Sequence, residues 1–208
     1  MRYVGVDEVG NGALAGPLVA AAVAIDAPVR FEELKRWWPL AGVRDSKRLT
    51  FAQREALLPE LVPFLLRSGA SVQIVEASAR EIDERGHASA HLGVLTDAVR
   101  GVVEDAGADL VIVDGRLELP SWKIRHVEQR AAPHADADYW VVAAASILAK
   151  VHRDRLMVGL AREFPAYGFD QNMGYTGGSK ATSPHVRALR LHGPTPHHRR
   201  AACRTVLS

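Results

Sequence analysis

The sequence predicts an α/β fold: a mixed sheet flanked by helices, with a small helical region at the C-terminal end. Three observations predict it. Short apolar runs at residues 4–6, Leu18–Ile25 and 110–113 read as buried strands. Between them lie stretches with apolar residues at helical spacing, and this alternation continues to about residue 164, the pattern of a layered α/β domain. Beyond it the composition changes, because residues 165–184 hold Gly168, Gly174, Gly177 and Gly178 and read as a loop before two short helices. The chain is accordingly divided into a main domain at 1–164 and a C-terminal loop and helical appendage at 165–208. With 208 residues and 48% hydrophobic content, it can bury a substantial core.

Residues 4–6 (Val4, Gly5, Val6) form a strand that runs into Asp7 and Glu8, and Gly10, Gly12 and Gly16 follow in a turn-forming loop. Leu18–Ile25 is apolar throughout and suits a strand buried on both faces, antiparallel to the first. A short helix is predicted at 31–38, then a polar loop, Arg44-Asp45-Ser46-Lys47-Arg48. Thr50 is a good N-cap for a helix over Phe51–Arg67, which Pro59 and Pro63 would kink or divide. A strand at 71–76 and a helix at 77–85 come next. A longer helix at 88–105 carries an apolar face through Leu92, Leu95, Val99 and Val102. The strand at 110–113 ends in Asp114-Gly115, and another strand is predicted at 122–127. A long helix runs from 139 to about 164, its alanines permitting close packing. Helices at about 185–192 and 197–205 close the chain.

Composition excludes several classes. Formal charge is only +2, so affinity for nucleic acid has to come from local clusters. A single cysteine, Cys203, excludes an internal disulfide and a thiolate metal cluster, which suits a reducing, cytoplasmic setting. Neither an apolar leader nor a run of membrane-spanning length is visible, and a monomer is the default.

The chemistry lies in the acids. Asp7 and Glu8 end one apolar strand and Asp114 another, so the three would converge at one end of the sheet if the strands are neighbours. Adjacent strand residues point to opposite faces, so Asp7 and Glu8 share a site only if the strand ends or bulges near Glu8. A fourth acid comes from His134-Ala135-Asp136-Ala137-Asp138, where Asp136 and Asp138 compete and Asp138 suits an N-terminal cap. Carboxylates without Cys or His partners are hard oxygen ligands for Mg2+ or Mn2+. Two such ions clamp the attacking and leaving oxygens in phosphodiester cleavage. Asp154, between Arg153 and Arg155, reads as part of an exposed helical ion pair.

These residues spell a pattern. DEVGNGALAGP, RDSKRL, IVDG, ADADY followed by AAASILAKVHRD, FPAYGF with MGY, and HGPTPHHR together resemble the ribonuclease HII family in order and spacing, over nearly the whole chain. The VRDSK and ADADY wording is closer to archaeal-type members. The resemblance implies a ribonuclease H-like fold and an endonuclease with two Mg2+ or Mn2+ ions. That enzyme cuts the RNA strand of RNA/DNA hybrids and duplex DNA at single embedded ribonucleotides, leaving 3′-hydroxyl and 5′-phosphate ends. It implies that Asp7, Glu8, Asp114 and Asp136 hold the metals. By the same resemblance, Gly10-Asn11-Gly12 matches the family's Gly-Arg-Gly loop and Tyr175 its ribose-sensing tyrosine. Ser46, Lys47 and Lys150 match phosphate-contacting positions. Asn11 departs from the usual Arg, removing a fork of donors, and Ala13 stands where Pro is usual and would loosen the loop. The basic tail, with His192, His197, His198, Arg199, Arg200 and Arg204, reads as a surface for duplex phosphates.

Two alternatives stand beside this reading. A ribonuclease HIII-like hybrid nuclease, weak on single ribonucleotides, is opposed by Asp136 where that type has Glu, and by a chain that begins just before the first strand. A non-catalytic duplex-binding protein would lack one of the acids, and none is missing.

Overall fold

A computed structural model of the chain describes residues 1–26, 49–177 and 182–207. The helix predicted at 31–38 and the RDSK loop, with Ser46 and Lys47, lie outside the described residues. The described elements are strands β1 (Tyr3–Val9) and β2 (Leu18–Ile25), helix α1 (Phe51–Arg67), β3 (Ser71–Ala77), α2 (Ala79–Arg85), α3 (His87–Ala106) and β4 (Leu110–Asp114). A short 3-10 turn at Ser121–Ile124 precedes β5 (Glu128–Ala132) and α4 (Ala135–Asp138), which leads into the long α5 (Trp140–Glu163). A second 3-10 turn at Pro165–Tyr167 is followed by α6 (Phe169–Asn172), α7 (Pro184–His192) and α8 (Arg200–Leu207). The five strands form one mixed sheet in the order β3-β2-β1-β4-β5. The described chain falls into two compact units, one of Met1–Val9, Ala20–Val75 and Leu92–Val151, the other of Gly10–Val19, Glu76–His91 and His152–Ser208.

In the first unit β1 and β4 are parallel, with Val6 opposite Val113, and β4 and β5 are parallel, with Asp114 opposite Ala132. All eight residues of β2 are buried, so burial on both faces overrides the helical preference of its alanines. Thr50 caps α1 in a reciprocal box with Gln53, and Pro59 and Pro63 lie inside this single 17-residue helix without dividing it. The first half of α5 is buried almost throughout, from Trp140 to Ala149. Its close seat is explained by Gly5: a Cβ there would stand 2.5 Å from the main chain of Val141 and Val142. Only a residue without a side chain permits that approach.

One predicted strand is corrected. Residues 122–127 alternate like a strand, but Pro120 starts a turn closed by Lys123 N–H donating to Pro120 O at 2.9 Å and His126 N–H to Ser121 O at 2.8 Å. Arg125 and His126 both take left-handed φ values, 56° and 57°, and the strand begins only at Glu128. β5 is a sheet edge of composition EQRAA, half exposed, and its charged residues guard the edge and hide it from an apolar pattern search.

The second unit gathers Leu14, Met157, Tyr167, Phe169, Val186, Leu189, Cys203 and Val206 into its own core. Cys203 is buried there, and burial pushes its thiol up to about 11, so it serves as a small hydrophobe. From α2, Asp83 accepts the main-chain N–H of Arg200 at 2.9 Å and so caps the start of α8 from a distant part of the chain.

Candidate active site

The acids belong to the first unit. The β1–β4 register, extended one residue past Val6 and Val113, sets Asp7 beside Asp114 at the C-terminal ends of two parallel neighbours. Asp114 Oδ1 accepts the N–H of Ala135 at 2.8 Å, which ties the α4 turn, and with it Asp136, to the same sheet end. Asp136 is buried, 7% exposed, whereas Asp138 is exposed, and Tyr139 stands between Asp138 and the first residue of α5. The cap expected of Asp138 on the long helix is thus not its position. Asp7 is 3% exposed and accepts the N–H of Glu8 at 2.8 Å. β1 runs on past Glu8 to Val9, while its register with β4 reaches Val6 opposite Val113, just before the two acids. Lys150 is half-buried on α5.

Among the described residues, no three His, Cys, Asp or Glu side chains are gathered as a group that could hold a metal ion. What the fold shows is main-chain placement: Asp7 and Asp114 follow the paired Val6 and Val113 of two parallel strands, and the turn of Asp136 is tied to Asp114. Asp7 and Asp114 each accept a main-chain N–H, from Glu8 and from Ala135. An all-oxygen donor set of this kind fits Mg2+ or Mn2+ in its chemistry.

The glycine loop and the tyrosine belong to the second unit. Gly10 has φ +96°, and a Cβ there would stand 2.5 Å from Arg153 Nε and 2.7 Å from Pro17 O. Gly10 N–H donates to the Tyr175 hydroxyl at 3.1 Å, which ties loop and tyrosine together directly. Asn11 and Gly12 are exposed at the loop's tip. Ala13 does not loosen the loop: its N–H donates to Gly10 O at 3.3 Å, closing a turn that proline could not close. Main-chain donors Leu14 and Ala15 both reach Gly174 O, at 2.8 and 3.1 Å.

Arg153 is the residue that sequence reasoning missed. Instead of the exposed ion pair expected with Asp154, both side chains are fully buried. The Arg153 guanidinium donates to Pro17 O, Met173 O and Ala15 O at 2.8, 2.9 and 3.0 Å and lies 5.2 Å from the centre of the Tyr175 ring. One cation thus binds the ends of the glycine loop and the tyrosine segment together. Burial pulls its pKa below the usual arginine value, partly opposed by Tyr175 and Asp154. A signal was present in the sequence, since Arg153 stands four residues from Ala149 and four from Met157, both fully buried, on one helical stripe.

The tail is corrected in the same sense. His198 and Arg199, expected on a phosphate-binding surface, are each 3% exposed. Arg199 donates to Gly16 O through Nε and Nη2 at 3.1 and 3.0 Å and to Asn11 O at 3.2 Å. Burial, with Arg153 next in order, pulls it down to about 10. His192, Arg200 and Arg204 are exposed, and His197 is half-buried.

A family model described as Ribonuclease HII matches residues 4–205. The chain is 41% identical over 195 residues to a Ribonuclease HII of Syntrophobacter fumaroxidans, covering 94% of this chain and 73% of that one. It is 42% identical over 196 residues to one of Sphingopyxis alaskensis, covering 94% and 86%. Its fold is similar to the crystal structure of the ribonuclease H2 from Pyrococcus horikoshii, with TM-score 0.75 and 28% identity over 99% of this chain and 97% of that one. No helix among the described residues is long and apolar enough to cross a membrane. With the sheet order, the parallel acid-bearing strands and a match spanning both units, the chain belongs to the ribonuclease HII family and is an endoribonuclease.

Proposed function

We propose that this endoribonuclease cuts the RNA strand of RNA/DNA hybrids and also cuts duplex DNA at single embedded ribonucleotides, leaving 3′-hydroxyl and 5′-phosphate ends. The observation that carries it is the β1–β4 register, which pairs Val6 with Val113, the residues just before Asp7 and Asp114, while Ala135 N–H ties the turn of Asp136 to Asp114. Two Mg2+ or Mn2+ ions, held by Asp7, Glu8, Asp114 and Asp136, would supply charge neutralisation for the attacking and leaving oxygens. The chain's own part is to keep those carboxylates turned to one place, which the N–H bonds to Asp7 and Asp114 serve.

Ribonucleotide recognition needs a group that tests for a 2′-hydroxyl. Tyr175 suits that role because its oxygen accepts from Gly10 N–H, which leaves its own proton to donate to a ribose. Main-chain groups of Gly10, Asn11 and Gly12 would line the sugar and its phosphate, and Lys150, Ser46 and Lys47 would hold backbone phosphates. On the C-terminal region, 165–208, exposed Arg200, Arg204 and His192 are the groups placed for further duplex contact, because His198 and Arg199 are interior.

The test uses two end-labelled duplexes, one DNA with a single ribonucleotide and one RNA/DNA hybrid, each with Mg2+ or Mn2+. Cleavage on the 5′ side of the single ribonucleotide is expected, and Asp7→Asn and Asp114→Asn should each reduce it by at least about 10²-fold while duplex binding persists. Full activity in Asp7→Asn would end the carboxylate assignment. Cleavage of the hybrid alone would show that the Gly-Asn-Gly loop does not support single-ribonucleotide recognition.

A further inference from the structure

Two buried histidines of the second unit form a chain that ends on the main chain of Tyr175. His198 Nδ1 lies 3.0 Å from the N–H of Thr195, His198 Nε2 lies 3.0 Å from His185 Nε2, and His185 Nδ1 lies 2.8 Å from Tyr175 O. Proton positions follow from the two ends. Thr195 N–H can only donate, so His198 Nδ1 accepts and the single proton of its neutral ring is on Nε2. That proton donates to His185 Nε2, which leaves the His185 proton on Nδ1, aimed at a carbonyl that can only accept. Both ends demand the same direction, and the Thr195 hydroxyl, 2.9 Å from His198 Nδ1, can donate to that same accepting nitrogen. His185 is fully buried, and the rings of Tyr167 and Phe169 lie 5.0 Å from His198 and 5.4 Å from His185. Burial lowers both pKa values, that of His198 to about 4, which keeps the pair neutral at ordinary pH.

We propose that His185 and His198 are positioning residues for ribonucleotide recognition: their directed relay holds the Tyr175 carbonyl and thereby fixes where the tyrosine ring and hydroxyl stand. This rests on the reading of Tyr175 as the ribose sensor. On its N-terminal side Tyr175 is held by its own N–H on Asn172 O at 2.9 Å, and its side chain by Gly10 and Arg153. On its C-terminal side the chain is fastened by His185 at Tyr175 O and by the Ser183 hydroxyl at Thr176 O. Removing the His185 donor leaves the Tyr175 carbonyl without that partner, so its peptide turns toward another, and the hydroxyl moves with it. Displacement of about 1 Å in a positioning group is enough to change a rate by up to about 10²-fold.

The experiment measures kcat/KM on the single-ribonucleotide duplex and on the hybrid, and takes their ratio, for wild type, Tyr175→Phe, His185→Ala and His185→Asn. The Asn amide nitrogen stands where Nδ1 stood and restores the donor. Expected is a ratio lowered at least about tenfold in His185→Ala and restored in His185→Asn. An unrestored ratio in a folded His185→Asn protein, or an unchanged one in His185→Ala, overturns the relay. Tyr175→Phe separates the two readings: if it too leaves the ratio unchanged, the sensor assignment fails, whereas a ratio lowered by Tyr175→Phe alone defeats only the relay. Should His185→Ala not fold, 15N spectra of histidine-labelled wild type decide. His185 must carry its proton on Nδ1 and His198 on Nε2, and any other pair of tautomers overturns the proposal.

Discussion

At the scale of single residues, the second unit depends on one guanidinium. Arg153 supplies donors to three main-chain carbonyls from two distant segments, and both its own side chain and the Ala15 carbonyl it holds are buried. Arg153→Met should therefore destabilise the protein by about 3 kcal/mol, an unsatisfied buried acceptor costing about 1 kcal/mol or more each. Lysine would not rescue it, because one ammonium cannot reproduce the planar fork. Urea unfolding checks this, and a loss below about 1 kcal/mol would contradict the clamp. The contrast with the acids shows what was legible in the sequence. Asp7 and Asp114 were found because a carboxylate that ends an apolar strand conflicts with its neighbours. Arg153 sits in HRDR, which reads as a solvated helical face, and only the arrival of residues 15–17 and 173 from elsewhere in the chain makes that face an interior.

Among the elements, the contact that governs the acid site is the seat of α5 on β1. The strand positions Asp7, and the helix follows directly from the turn that carries Asp136, so their spacing bears on both acids. Gly5 sets it, since an added methyl would press on the main chain of Val141 and Val142 at 2.5 Å, and main chain cannot swing aside as a side chain can. Gly5→Ala should accordingly cost about 1–3 kcal/mol as an overpacked contact. It should also lower kcat on both duplexes alike, since the helix must retreat from the strand. Thermal melts and the two-duplex assay test it, and an unchanged kcat in a destabilised protein would show that the acids do not feel this spacing. The elements themselves were legible wherever burial was strong: β2, α3 and α5 stand where their apolar patterns set them, to within a residue or two at their ends. β5 was not, because an edge strand needs no apolar alternation, and the Pro120 turn ahead of it imitates a strand in its sequence.

For the molecule as a whole, the second unit is assembled from three separated pieces, Gly10–Val19, Glu76–His91 and His152–Ser208, so its stability depends on groups that only the folded chain brings together. The histidine pair makes this measurable. In the unfolded chain each ring titrates near 6.5, whereas in the fold burial, together with His185 and His197, holds His198 down to about 4, and burial lowers His185 as well. The unfolded chain therefore binds more protons than the folded one between those values. Stability from the neutral pair is complete above pH 6.5 and is lost as pH falls toward about 4, below which His198 adds no further change. Carboxylates titrate across part of the same window, so the comparison is between wild type and His198→Gln, in which they cancel. The variant keeps an amide donor toward His185 but loses the Nδ1 acceptor of Thr195 N–H and the packed ring, so it is less stable at pH 7.5, and it has no ring to protonate. The stability difference between the two proteins should shrink steadily from pH 6.5 to pH 4, read by urea unfolding at each pH. A difference that stays constant over that range would mean that His198 is not held neutral by the fold, and would place its burial outside the acid response of the protein.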